Sequence, residues 1–176
     1  MWRDDQSTTA YSPRMKSTSV FLALLITGCA TMRPPAQPCS MSARGCEMRV
    51  FAVRLRPGDD LRIKLEEFVR QHNLQAAFVA SCVGSLRQAA IRFADQKEAT
   101  KLNGPFEIVS LAGTFSPDGP HLHIAVSDGH GQTLGGHLTE GSTVYTTAEV
   151  IIGEVAGASF RRVVDPTTTF KELVIQ

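Results

Sequence analysis

Residues 119–140 read Gly119-Pro-His121-Leu-His123-Ile-Ala-Val-Ser-Asp128-Gly-His130-Gly-Gln-Thr-Leu-Gly-Gly-His137-Leu-Thr-Glu140, and they contain four of the five histidines of the chain. Leu122, Ile124 and Val126 alternate with His121, His123, Ala125 and Ser127. That period of two belongs to a strand with unlike faces, so His121 and His123 share a face. The turn after this strand decides whether a third histidine joins them. If Gly129, His130 and Gly131 form a three-residue hairpin loop, with Gly131 in the left-handed conformation, Asp128 pairs with Gln132. His123 then lies directly across from His137, on the same side and about 5 Å away between Cβ atoms. A two-residue loop would turn His137 to the opposite face, because a one-residue slip inverts every side chain.

Three neutral imidazoles on a hairpin, with no fourth ligand forced by the stretch, suit a Zn²⁺-like divalent ion that keeps an open coordination position. The plainer alternative is a row of polar-face histidines meeting solvent. His130, at the loop tip, reads as a solvated turn residue, and His72 as a polar-face residue near a helix end.

Outward from the hairpin, residues 47–55 alternate as a first strand that ends at Arg56-Pro57-Gly58. Asp59 or Asp60 caps a helix whose apolar positions Leu61, Ile63, Leu65, Phe68 and Val69 mostly keep helical spacing, and which stops near Asn73. An apolar run over 76–83 breaks at Gly84-Ser85, and 86–94 forms another strand. Residues 95–104 read as polar and turn-like. Strands are expected over 106–115 and 143–155, with 116–120 as a hairpin connection, and the tail over 156–176 reads as irregular with a closing apolar segment at 173–175. Many strands at hairpin spacing and one good helix predict an α+β domain, mainly antiparallel β-sheet with one principal helix packed on it.

The chain has 176 residues and a formal net charge of +1. Residues 47–176 hold 13 Lys and Arg against 15 Asp and Glu, a net −2, while the first 46 residues hold five basic and two acidic side chains. An acidic domain offers no broad electrostatic footprint for nucleic acid.

Met15-Lys16 followed by the apolar run from Val20 to Ile26 reads as a secretory signal, too short to span a bilayer as a finished helix. Leu25-Ile26-Thr27-Gly28-Cys29 resembles the bacterial lipoprotein lipobox, which implies lipidation of Cys29 and a mature chain that starts there. The expected organisation is a signal region over 1–28 with translation starting at Met15, a Pro-rich linker over 29–46, and a domain over 47–176. The chain would then be exported and membrane-anchored through its N-terminal lipid, facing the periplasm. In that compartment Cys39 and Cys46 can pair, whereas Cys82, in an apolar run, reads as a buried free thiol.

The segments Gly104-Pro105-Phe106-Glu107-Ile108-Val109-Ser110-Leu111-Ala112-Gly113, His121-Leu122-His123, Asp128-Gly129-His130-Gly131, Gly135-Gly136-His137-Leu138 and Glu149-Val150-Ile151-Ile152, in this order, resemble the plants-and-prokaryotes conserved (PPC) domain. Pro57-Gly58-Asp59, Gly84-Ser85-Leu86 and Asp165-Pro166 match it too. The resemblance implies a homotrimer with a histidine metal site, and it brings the label of a predicted DNA-binding protein. Against that label stand the lipobox, the acidic domain and a chain without the Arg-Gly-Arg-Pro core by which plant members enter the minor groove. In plant members a hexapeptide centred on Gly-Arg-Phe-Glu-Ile serves partner contacts, and here Pro105 replaces its arginine. His121, His123 and His137 also resemble the zinc ligands of the acetolactate decarboxylase fold group. That likeness implies a zinc-dependent hydrolase or decarboxylase acting on a small carbonyl compound, with an acidic residue moving protons. Glu149, which interrupts an apolar strand, is the candidate for that role, or else a salt-bridge partner at a subunit contact. Glu107 carries the same two readings.

Overall fold

The structure is a computed structural model and describes residues 47–176; the expected signal region, linker, Cys29, Cys39 and Cys46 lie outside the described residues. Strand β1 (Met48–Leu55) is followed by the helix α1 (Leu61–Gln71) and then by β2 (Ala77–Arg92), β3 (Thr100–Ser116), β4 (Gly119–Ser127), β5 (Thr133–Leu138) and β6 (Thr143–Val155). These six strands form one sheet in the order β1-β6-β2-β3-β4-β5, with every neighbouring pair antiparallel. The end of β2 pairs in addition with β5, Ile91 with Leu138 and Arg92 with His137, so β2, β3, β4 and β5 curl into a closed ring. Closure covers the His137–Leu138 end of the edge that β5 would otherwise expose.

The position and direction of α1 follow from its residues. Asp60 Oδ1 accepts from the backbone N–H of Ile63 at 3.0 Å, and Leu61, Leu65 and Val69 fall four apart on one stripe that is buried. Asp60 Oδ2 accepts in turn from the N–H of Gly141 at 2.6 Å, which ties the helix start to the turn before β6. The stripe meets Leu55, Leu86, Phe115, Val144, Val150 and Ile152, the centre of the core. Leu122, Ile124 and Val126 of β4 point into the same core, so the alternate residues of that strand face away from it. The α+β architecture expected from the strand pattern is thus the observed one.

Three local expectations are corrected. The bend at Gly84-Ser85 does not divide two strands: β2 runs through it, with Gly84 at φ +144° and its pairing to β6 shifted there. The residue must be glycine, since a Cβ would sit 2.2 Å from the carbonyl oxygen of Thr147. Residues 100–104 belong to β3 rather than to a turn, because β2 is long enough to pair Ile91 with Thr100 and Gln88 with Asn103. The tail is not irregular but folds as a second two-stranded sheet, β7 (Phe160–Val164) with β8 (Lys171–Ile175). Asp118, in the β3–β4 turn, anchors that ribbon: it accepts from Arg161 Nε at 2.8 Å, from Arg161 Nη2 at 3.1 Å and from the backbone N–H of Arg162 at 2.9 Å.

Candidate metal centre

The β4–β5 turn has the three-residue loop. The N–H of Asp128 donates to the carbonyl of Gln132 at 3.0 Å, and Gly131, at φ +81°, donates back to the carbonyl of Asp128 at 3.0 Å. The Asp128 carboxylate also accepts from the backbone N–H groups of His130 and Gln132, each at 2.9 Å. These two N–H donors hold its pKa below the ordinary carboxylate range, with a smaller contribution from charge on His130. An aspartate at this position therefore braces the loop from inside, a role for which no other side chain of the turn is placed.

The register that results pairs His123 with His137. His121 lies two residues along β4, opposite Thr114 of β3, on the face turned from the core. Ring centroids are 5.1 Å apart for His121 and His123, 5.2 Å for His121 and His137, and 4.4 Å for His123 and His137. One ring nitrogen of each lies within 4.8 Å of the other two. Tetrahedral zinc with bonds of about 2.0–2.1 Å would set such nitrogens roughly 3.3 Å apart. A contraction on the order of 1.5 Å, by rotation about the side-chain bonds of half-exposed residues, separates the two arrangements. No carboxylate or thiolate among the described residues joins the three imidazoles within ligating distance, a donor set that fits a borderline cation such as zinc, and the nearest acidic influence on His121 is Glu172 of β8.

Electrostatics favour the ligating form. His121 and His137 are each shifted below the ordinary histidine pKa, chiefly by burial. The next cause for His121 is the guanidinium of Arg162 and for His137 that of Arg92. Both effects keep the rings neutral, the state that offers a lone pair to a metal.

The structure does not bring the acidic candidates to this cluster. Glu149 is exposed on β6, paired with Arg54 and Val83, whereas His137 pairs with Arg92, the last residue of β2. Glu107 is exposed on β3, opposite Ser127 and Ser85. His130 sits exposed at the loop tip, as expected, and His72 closes α1 with its ring stacked on Phe68, centroids 4.1 Å apart. Cys82 is buried and free, and burial pushes its thiol up to about 12.

Sequence reasoning missed the neighbours of the cluster. Arg92 could be placed beside His137 only by knowing that β2 and β5 pair. Arg162 and Lys171 come from the tail that had no visible strand pattern. With His121 and His137 they border an open groove of about 1000 Å³.

Residues 42–156 match the Plants and Prokaryotes Conserved (PCC) domain. Over 129 residues, 73% of this chain, the sequence is 50% identical to the bifunctional protein GlmU of Synechococcus sp. (strain JA-3-3Ab). The chain spans 21% of the length of that relative. A hypothetical protein from Salmonella enterica superposes with a TM-score of 0.74 at 44% identity, over 76% of this chain and 96% of that one. The metal-containing protein AF0104 from Archaeoglobus fulgidus is 31% identical, with a TM-score of 0.63 over 76% of this chain and 99% of that one.

Proposed function

This chain belongs to the Plants and Prokaryotes Conserved domain family, and from that premise we propose that it is a metal-binding domain whose His121, His123 and His137 hold one zinc-like divalent ion. The observation that carries this reading is the convergence of three ring nitrogens within 4.8 Å on a braced hairpin. The similarity to a metal-containing protein of 31% identity supports it. With three protein ligands a fourth position stays open to water or to a ligand. The test is metal analysis of the purified chain after exposure to zinc: about one equivalent in the wild type, and a loss of most of it in His123→Ala. A wild-type chain that takes up none refutes the reading.

We further place this domain in an exported, lipid-anchored homotrimer facing the periplasm. The lipobox-like segment ending at Cys29 supports the anchor. Val83 and Val109, both more than half exposed on β2 and β3, support assembly through that part of the sheet. Labelled fatty acid entering the wild type but not Cys29→Ser tests the first, and light-scattering mass in detergent the second.

A second reading is favoured by the groove beside the histidines: a zinc-dependent hydrolase or decarboxylase for a small carbonyl compound. A bound ion would supply Lewis-acid polarisation of a carbonyl or a water of lowered pKa. His121, His123 and His137 would orient it, and the groove would seat the substrate. Glu149, set apart from the cluster in the chain, would have to act from a neighbouring subunit or not at all. Nucleic acid stays outside this proposal, because the domain carries a net −2.

A further inference from the structure

The charge around the groove runs against the charge of the domain. Although residues 47–176 are net acidic, Arg62, Arg92, Lys97, Arg162 and Lys171 line this one groove. Arg62 is paired with Glu66 of its own helix at 2.6 Å, and Asp95 and Glu172 oppose the other four, which leaves a local excess of two positive charges. The basic groups stand on separate parts of the fold, α1, the end of β2 with the loop after it, and the β7–β8 ribbon. Their convergence is therefore a product of tertiary structure and not of a basic run. Two of them are held in place. Arg92 Nη1 donates to the carbonyl of Gln96 at 3.2 Å, and Arg162 Nη2 to the carbonyl of Lys171. The ribbon that carries Arg162 and Lys171 is itself fixed to the β3–β4 turn by the Asp118–Arg161 pair. Guanidinium forks match carboxylate and phosphoryl oxygens in pairs, and such contacts gain from a partly desolvated setting.

The apolar part of the lining matters as well. Phe170, between β7 and β8, is 71% exposed and lines the groove together with Arg162 and Lys171, so a phenyl face stands open on the same side as two of the charged groups. A bare inorganic anion would leave this surface unused.

We propose that the groove between the histidine cluster and the β7–β8 ribbon is a binding site for a small organic oxyanion, a carboxylate or phosphoryl compound. Arg92, Arg162 and Lys171 hold its charged end, Phe170 covers its carbon skeleton, and a second oxygen reaches the open position of the metal. The last contact rests on the metal reading above; the charged contacts do not.

Cobalt makes the two parts separable, because its visible spectrum reports both uptake and a change of ligand. The full chain is loaded with Co²⁺ and titrated by calorimetry and absorbance with pyruvate, with inorganic phosphate and with duplex DNA. The expected result is saturable binding of pyruvate at millimolar or lower concentration, with a change in the cobalt spectrum and a weaker response to phosphate. In Arg162→Gln/Lys171→Gln the affinity should fall by roughly tenfold or more, the size of one or two lost charged hydrogen bonds, with cobalt content unchanged. Lys171→Gln alone, an exposed side chain, guards against a double variant that fails to fold and should weaken pyruvate several-fold. If cobalt binds but neither anion does, or if both variants bind as the wild type does, the inference is overturned and the metal reading stands. A chain that takes no cobalt overturns the metal reading together with this one. Binding of duplex DNA in preference to both anions overturns the small-molecule assignment.

Discussion

Gly113→Ala probes the dependence of the histidine cluster on the sheet behind it. Gly113 of β3 pairs with Leu122, between the two histidines of β4, and has φ +138°. A Cβ built there would lie 2.0 Å from the carbonyl oxygen of His121 and 2.9 Å from the Cα of Leu122. A carbon and a carbonyl oxygen approach no closer than roughly 3.3 Å in comparable strand contacts, so β4 must withdraw by about 1.3 Å. Ladder hydrogen bonds tolerate a few tenths of an ångström. Losing two or three of them at about 1 kcal/mol each, with about 1–3 kcal/mol for an L-residue at this φ, gives a destabilisation of about 3–6 kcal/mol. The informative control is Gly84→Ala. It has a similar φ of +144° and a similar clash, 2.2 Å from the carbonyl oxygen of Thr147, but it sits between β2 and β6. Urea unfolding should show comparable losses in both variants, whereas zinc titration of the folded fraction should show weakened affinity in Gly113→Ala alone. A Gly113→Ala chain within about 0.5 kcal/mol of wild type, the range of a neutral surface change, would refute the reasoning.

The metal-free protein should gain stability as pH rises through the histidine range. His121 and His137 have folded pKa values below their unfolded ones, so the unfolded chain binds more protons in that window, and thermal melts between pH 5 and 7 should rise in the wild type and flatten in His121→Gln/His137→Gln. Asp118→Asn should loosen the β7–β8 ribbon, read as faster tryptic cleavage at Arg161 and Arg162. Arg161 and the N–H of Arg162 lower the Asp118 pKa, so this support is present above the unfolded carboxylate pKa and is lost as pH falls through the folded one. Glu154→Ala should cost about 1–3 kcal/mol in urea unfolding, since the buried carboxylate receives Arg49 and, at 3.0 Å, the backbone N–H of Gln75. Cys82 should resist thiol reagents in the native chain and react once urea unfolds it, because burial raises its pKa to about 12.

Much of the fold is written in local pattern. Leu61, Leu65 and Val69 announce the buried stripe of α1, and the alternation from Leu122 to Val126 announces β4, because the side-chain periods of helix and strand are set by backbone geometry alone. The tail hid its strands for the opposite reason. β7 and β8 leave Val163, Val164, Val174 and Ile175 exposed, so no buried face imposed an apolar-polar alternation on them. Thr100 and Lys101 lack a β-like pattern for a similar reason: they join β3 because β2 reaches far enough to pair with them.

The cluster itself divides along the same line. Glycines flanking His130 and an aspartate before them allow a three-residue loop but leave a two-residue one open; the structure has the three-residue loop, and from that length the register and the placing of His123 across from His137 follow locally along the chain. Tertiary structure alone decided what surrounds those rings. Arg92 reaches them by closure of β2 onto β5, and Arg162 and Lys171 by a ribbon clamped at Asp118. Such contacts join residues far apart in sequence, and their geometry depends on strand length, curvature and docking, which no short window of residues encodes.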